Sequence, residues 1–135
     1  MSIHELKTDA YPTDIKLQKR SRRLLVQFSD GALFSLTAEY LRVHSPSAEV
    51  QGHGADEPIL VVDKEGVNIE RIEAIGRYAV RLIFDDGHDT GLYTWPILYE
   101  LGSRYEAKWS QYLERLNKEG HHRTEDMNGR EPEKL

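Results

Sequence analysis

The chain has 135 residues, of which 30% are charged and 9% aromatic; its formal net charge is −5 and it has no cysteine. That is the size of one domain with a modest core, and the acidic balance argues against a nucleic-acid groove. Without thiols there is no disulfide, no thiolate metal site and no cysteine-ligated iron–sulfur cluster within this chain. No apolar run approaches the ~20 residues of a bilayer span, and Met1 to Ala10 has no apolar signal-peptide core. A cytoplasmic protein without a membrane partner is therefore expected.

Residues 1–12 are polar and read as a flexible N-terminus. Ile15 to Lys19 alternates apolar and polar, which predicts a strand with one wet face. Lys19-Arg20-Ser21-Arg22-Arg23 reads as a solvated basic turn rather than an anion site. Leu24 to Phe28 and Leu33 to Leu36 are the next two strands. The Asp30-Gly31 pair between them predicts a type I′ hairpin, with positive φ at both central residues. Thr37 can cap a short helix running to Arg42, which Pro46 stops. Residues 44–58 contain Gly52, Gly54 and Pro58 and read as an irregular loop. Ile59 to Val62 is either an edge strand or a packed loop.

Val67 to Ile75 predicts a strand whose alternation slips between Ile69 and Ile72, the signature of a bulge. Tyr78 to Phe84 is a further strand, Asp86-Gly87 a second turn, and Thr90 to Tyr93 the return. Thr94 can cap a helix that carries Pro96 in its first turn. Helical spacing then runs through Leu98, Leu101, Tyr105, Trp109, Tyr112 and Leu116. Gly102-Ser103 interrupts it, and Ser103 with Glu106 predicts a capping box restarting a second helix. The aromatic stripe reads as core or domain-packing surface rather than a ligand platform. Residues 118–135, including His121 and His122, read as a disordered charged tail with solvated histidines.

Val26 to Gly31 resembles Leu82 to Gly87, 56 positions on. Each segment lies within three strands followed by a threonine-capped helix. The fold class is therefore α+β: antiparallel hairpins in two similar strand–strand–strand–helix halves, with C-terminal helices closing a small core over residues 13–117. Phe28 and Phe84 are its expected anchors.

Several motifs together resemble the N-terminal domain of γ-butyrobetaine and trimethyllysine hydroxylases, the DUF971 domain. They are Phe28-x-Asp30-Gly31, Tyr40-Leu41-Arg42, Ser45-Pro46-Ser47-Ala48, Gly76-x-Tyr78-Ala79-Val80, Phe84-x-Asp86-Gly87-His88 and Gly91-x-Tyr93-x-Trp95. In those hydroxylases the domain is a zinc-carrying accessory to a separate catalytic domain, and its ligands are three cysteines and a histidine. The resemblance puts the cysteine positions on Ser45, Ser47 and Val50 and the histidine on His88. One ligand of four is kept, so the closed zinc site is not expected to form. Ser45 and Ser47 are expected to tie the loop by hydrogen bonds instead. Related domains also occur fused to P-loop ATPases of the iron–sulfur scaffold type. This chain shows neither a P-loop nor the facial triad of a non-haem iron oxygenase, so hydroxylase activity does not transfer.

His44, His53 and His88 are the only candidate metal set, for zinc or iron with Glu49 or Asp56 nearby, and surface or structural roles compete with that reading. Arg42 reads as a structural anchor paired with an acid. Turn chemistry accounts for Asp86 among the acids Asp85, Asp86 and Asp89. No catalytic residue stands out. The functional expectation is a non-enzymatic accessory module that binds an unidentified protein partner, with no cofactor required. The alternative is a metal-binding protein linked to iron–sulfur or 2-oxoglutarate-oxygenase chemistry. A small-molecule site using His53, Asp56 and His88 is a third possibility, and a homodimer is open.

Overall fold

A computed structural model describes residues 9–47 and 59–123. Two three-stranded antiparallel sheets form the frame. The first is β1 (Pro12–Gln18), β2 (Arg23–Phe28) and β3 (Leu33–Thr37); the second is β4 (Ile69–Ile75), β5 (Ala79–Phe84) and β6 (Leu92–Thr94). Helix α1 (Ala38–Val43) follows the first sheet, and α2 (Trp95–Ser103) and α3 (Tyr105–Lys118) follow the second. This is the α+β repeat expected from the sequence. The apolar faces of both sheets, α1 and α2 meet in one core that includes Phe28, Phe84, Leu24, Leu82, Tyr40 and Tyr93. A smaller cluster of Val43, Tyr112 and Leu116 has Leu60, Val61 and Val62 packed against it, so the 59–62 run is a packed loop rather than a strand.

The repeat extends to local geometry. Thr37 and Thr94 are both extended, and their hydroxyls accept from the amides of Tyr40 and Ile97. The two hairpins close alike: Gly31 N donates to Phe28 O and Gly87 N to Phe84 O, while Phe28 N donates to Ala32 O and Phe84 N to His88 O. Here the expected turn type is corrected. Only the glycines, both at φ 94°, enter the left-handed region; Asp30 and Asp86 do not. The hairpins are built as a turn followed by a glycine bulge. The aspartate serves as an acceptor instead, Asp30 Oδ1 for the amide of Ala32 and Asp86 Oδ1 for that of His88.

Three further differences concern boundaries and caps. β1 starts at Pro12, ahead of the expected Ile15, because Tyr11 N donates to Ser29 Oγ and Ser29 N to Tyr11 O. The helix restart after Gly102 occurs without the capping box: Arg104 is the N-cap, and Ser103 Oγ donates back to Glu100 O. The chain past Lys118 stays tied to the domain as far as Arg123, because His121 N donates to Leu116 O and Arg123 pairs with Glu39. His121 and His122 are exposed as expected. The β4 bulge falls between Ile69 and Arg71. Expectations for residues 1–8, 48–58 and 124–135 lie outside the described residues. No helix among the described residues is long and apolar enough to cross a membrane.

Packing between α2 and β3 yields a direct test. A Cβ on Gly102 would stand 2.3–2.7 Å from the Phe34 ring, which Phe28 and Tyr99 already hold edge-on. Alanine in a helix normally gains up to ~1 kcal/mol over glycine, but displacing a packed ring costs about 1–3 kcal/mol. Gly102→Ala is therefore expected to be destabilising, seen as a lower urea midpoint at unchanged m-value.

Candidate functional site

The segment leaving α1 and the turn leaving β5 meet in a buried polar corner. Ser45 is fully buried, and its Oγ is hydrogen-bonded to His88 Nε2 at 2.9 Å while accepting from Ser47 N at 3.2 Å. Ser47 Oγ lies 2.7 Å from Thr90 Oγ1. Gly91 closes the far side, where a Cβ would sit 2.4 Å from Ser45 Oγ, so no larger residue fits there without a shift. Tyr93 OH donates to Leu41 O at 2.6 Å, and burial pushes this phenol's pKa well up, keeping it a donor. The expected tying of Ser45 and Ser47 by hydrogen bonds is thus present. Thr90 and Gly91 are members of the corner that sequence reasoning missed; the Gly91-x-Tyr93 motif was the available signal.

This donor set does not fit a cysteine-type zinc centre. Two of the cysteine positions are neutral hydroxyls already bonded to His88 Nε2, Ser47 N and Thr90 Oγ1. The third, Val50, lies outside the described residues, as does His53. The two remaining histidines of the proposed metal set have different neighbours. His88 packs against Phe84 and bonds Ser45. The His44 ring packs at a tilt against Tyr40, centroids 4.6 Å apart, and its Nδ1 donates to Tyr40 O at 3.0 Å. Among the described residues no three His, Cys, Asp or Glu side chains form a metal group. His44 opens on a groove of about 500 Å³ lined by Val43, Leu60, Val61, Tyr112 and Arg115. Burial lowers the His44 pKa, with Lys108 adding to the effect, against the opposing bond to Tyr40 O.

An ion-pair network anchors the corner from outside. Asp86 Oδ2 accepts from Arg42 Nε at 2.8 Å and lies 2.6 Å from Lys64 Nζ. Arg42 is therefore the structural anchor that the sequence suggested, and Asp86 has a role beyond its turn. In the other half, Tyr99 OH donates to Asp30 Oδ2 at 2.6 Å. Tyr40 OH donates to Leu101 O, also at 2.6 Å.

The structure thus defines a small α+β domain of two interlocked halves around a hydroxyl–imidazole corner. The family model described as gamma-butyrobetaine hydroxylase-like, N-terminal, matches residues 15–99. Two NMR solution structures are similar over most of their length. One is 49% identical with a TM-score of 0.74, covering 87% of this chain and 88% of the other. The second is 47% identical with a TM-score of 0.73, covering 84% and 89%. A crystal structure of a DUF971-family protein of unknown function from Acidithiobacillus ferrooxidans ATCC 23270 is 37% identical, with a TM-score of 0.57 over 67% of this chain and 91% of that one. No curated protein matches the chain. The chain belongs to the gamma-butyrobetaine hydroxylase-like N-terminal family, DUF971.

The Asp86 network makes stability depend on acid. Burial alone would raise the Asp86 pKa, but bonds from Lys64, the His88 amide and Arg42 outweigh it and hold the carboxyl at about 2. The unfolded value is about 3.9. A folded pKa below the unfolded one stabilises fully above pH ~4, and that contribution is lost as pH falls from ~4 toward ~2. Asp86→Asn is expected to cost about 1–2 kcal/mol at pH 7, after discounting for solvent at this partly exposed site. It should also flatten the stability–pH slope between pH 4 and 2, as followed by denaturant melts across that range.

Proposed function

We propose that this protein is a non-catalytic accessory module that acts by binding another protein. The observation carrying this reading is the buried Ser45–His88 bond at 2.9 Å. It makes the position of the family's metal ligands a hydrogen-bonded brace, with the hydroxyl and imidazole turned toward each other. Ser45 is fully buried and His88 nearly so, so among the described residues the hydroxyl faces protein rather than solvent, unlike an exposed nucleophile. What remains for function is the outer surface of the frame. That agrees with an accessory role for the domain and requires no cofactor.

One observation favours the metal-binding alternative. His44 Nδ1 donates to a backbone carbonyl, which makes Nε2 the lone-pair nitrogen of the neutral ring, and burial disfavours the charged form. This is the tautomer control common to metal-ligating histidines. Zinc or iron on His44 would need His53 or His88 as further ligands.

The two readings separate on untagged protein purified without chelator. On the accessory reading, elemental analysis finds substoichiometric metal, chelator leaves the melting temperature unchanged, and a protein copurified from the same cells rebinds saturably when both are pure. Near-stoichiometric zinc or iron that is lost in the His44/His53/His88 triple alanine variant would instead establish the metal reading. A monomer that binds no protein would overturn the accessory one.

A further inference from the structure

Arg123 stands beyond the last helix, after Gly120 has turned the chain at φ 80°. Its side chain reaches back to Glu39 in the first turn of α1. Arg123 Nε donates to Glu39 Oε2 at 2.9 Å, and Nη2 donates to Oε1. The guanidinium carbon lies 5.3 Å from the Trp109 ring centroid. The Glu39 side chain is 8% exposed and that of Arg123 13%. A cleft of about 270 Å³ surrounds them, lined by Arg22, Thr37, Glu65 and Tyr105.

A deep carboxylate whose two oxygens meet two N–H groups along one edge of a planar guanidinium, with an indole beside it, is recognition chemistry for arginine in particular. Lysine can supply the charge but neither the two-point geometry nor the planar stacking. The group in the cleft comes from outside the regular elements of the fold. Arg123 belongs to no helix or strand, and neither repeat unit contains it.

We propose that the Glu39–Trp109 cleft is an arginine-recognition site, filled in cis by Arg123 and in a complex by an arginine side chain of a partner protein. The C-terminal segment is then a tethered competitor. A short tether holds it at an effective concentration in the millimolar range, so only a partner with additional contacts displaces it. This deepens the accessory reading by naming the partner's chemistry.

The test uses the full chain, Arg123→Ala, and Arg123→Lys as a variant that keeps the charge. The probe is N-acetyl-arginine amide, with N-acetyl-lysine amide as control, followed by thermal melting and by titration calorimetry. Both variants should be stabilised saturably by the arginine probe and not by the lysine probe. The wild type should bind the arginine probe at least roughly tenfold more weakly than Arg123→Ala, because the tethered side chain competes. Adding Glu39→Gln to Arg123→Lys should abolish binding. Equal response to both probes, or no response in either variant, would overturn the arginine site. Equal affinity in wild type and Arg123→Ala would overturn the cis competitor. A failed arginine site leaves the accessory reading standing, whereas a working site in a protein that binds no partner overturns the accessory reading and the partner occupant together, leaving only the site and its cis competitor.

Discussion

Each half of this molecule is held by a carboxylate from its own hairpin that the helix of the other half grips. Asp30 and Asp86 each use Oδ1 to accept an amide inside the turn. Each then offers Oδ2 across the repeat, Asp30 to Tyr99 on α2 and Asp86 to Arg42 on α1. The buried phenols run the same way, Tyr40 of the first half to Leu101 O of the second and Tyr93 of the second to Leu41 O of the first. Helix α1 has six residues, far short of the ~12–15 at which an isolated helix becomes even marginally stable. Its position is therefore set by the packing of Ala38, Tyr40 and Leu41 into the core together with these reciprocal bonds and its threonine cap. The Ser45–His88 corner follows from that placement. Ser45 leaves the end of α1 and His88 leaves the turn that Arg42 grips, so locking one helix to one turn delivers both partners.

What could be read from the sequence is what short-range rules determine. The strands, both threonine caps, the bulge near Ile69 and the two hairpins follow from alternation and turn residues. The type I′ assignment failed because Asp-Gly is compatible with two turn geometries, and aspartate was selected here as an acceptor rather than for positive φ. The capping box failed because Ser103 found an acceptor in the preceding turn. Composition marks the residues past Lys118 as polar but carries no information about an ion pair with a residue 84 positions away. Arg42 and Tyr99 are the instructive case. Each lies five positions past its capping threonine, Thr37 or Thr94. The equivalence is visible in the numbering, but a guanidinium and a phenol share no identity for a repeat comparison to detect.

The corner also shows why hydroxyls can stand where thiolates would hold a metal without doing the same work. A structural zinc contributes on the order of 10 kcal/mol of folding free energy, whereas each hydrogen bond contributes about 1 kcal/mol net. Three bonds among Ser45, Ser47, Thr90 and His88 cannot replace a metal energetically. The corner is satisfied because the frame brings its members together, and its bonds chiefly spare buried polar atoms the cost of going unpaired.

The two main ion-pair sites therefore carry different burdens. Opening Asp86 from Arg42 and Lys64 disconnects a turn from the helix that delivers Ser45, so both halves feel it. Opening Glu39 from Arg123 releases a segment that belongs to neither half. A buried pair of the second kind is a weak contributor to stability, since desolvation offsets much of the attraction. Its geometry nonetheless demands a planar, two-point donor. The Glu39 site thus imposes more specificity than the fold requires. In a domain whose interior is committed to holding two halves together, such an excess is, on the reading proposed above, where selection by a partner acts without unfolding the frame.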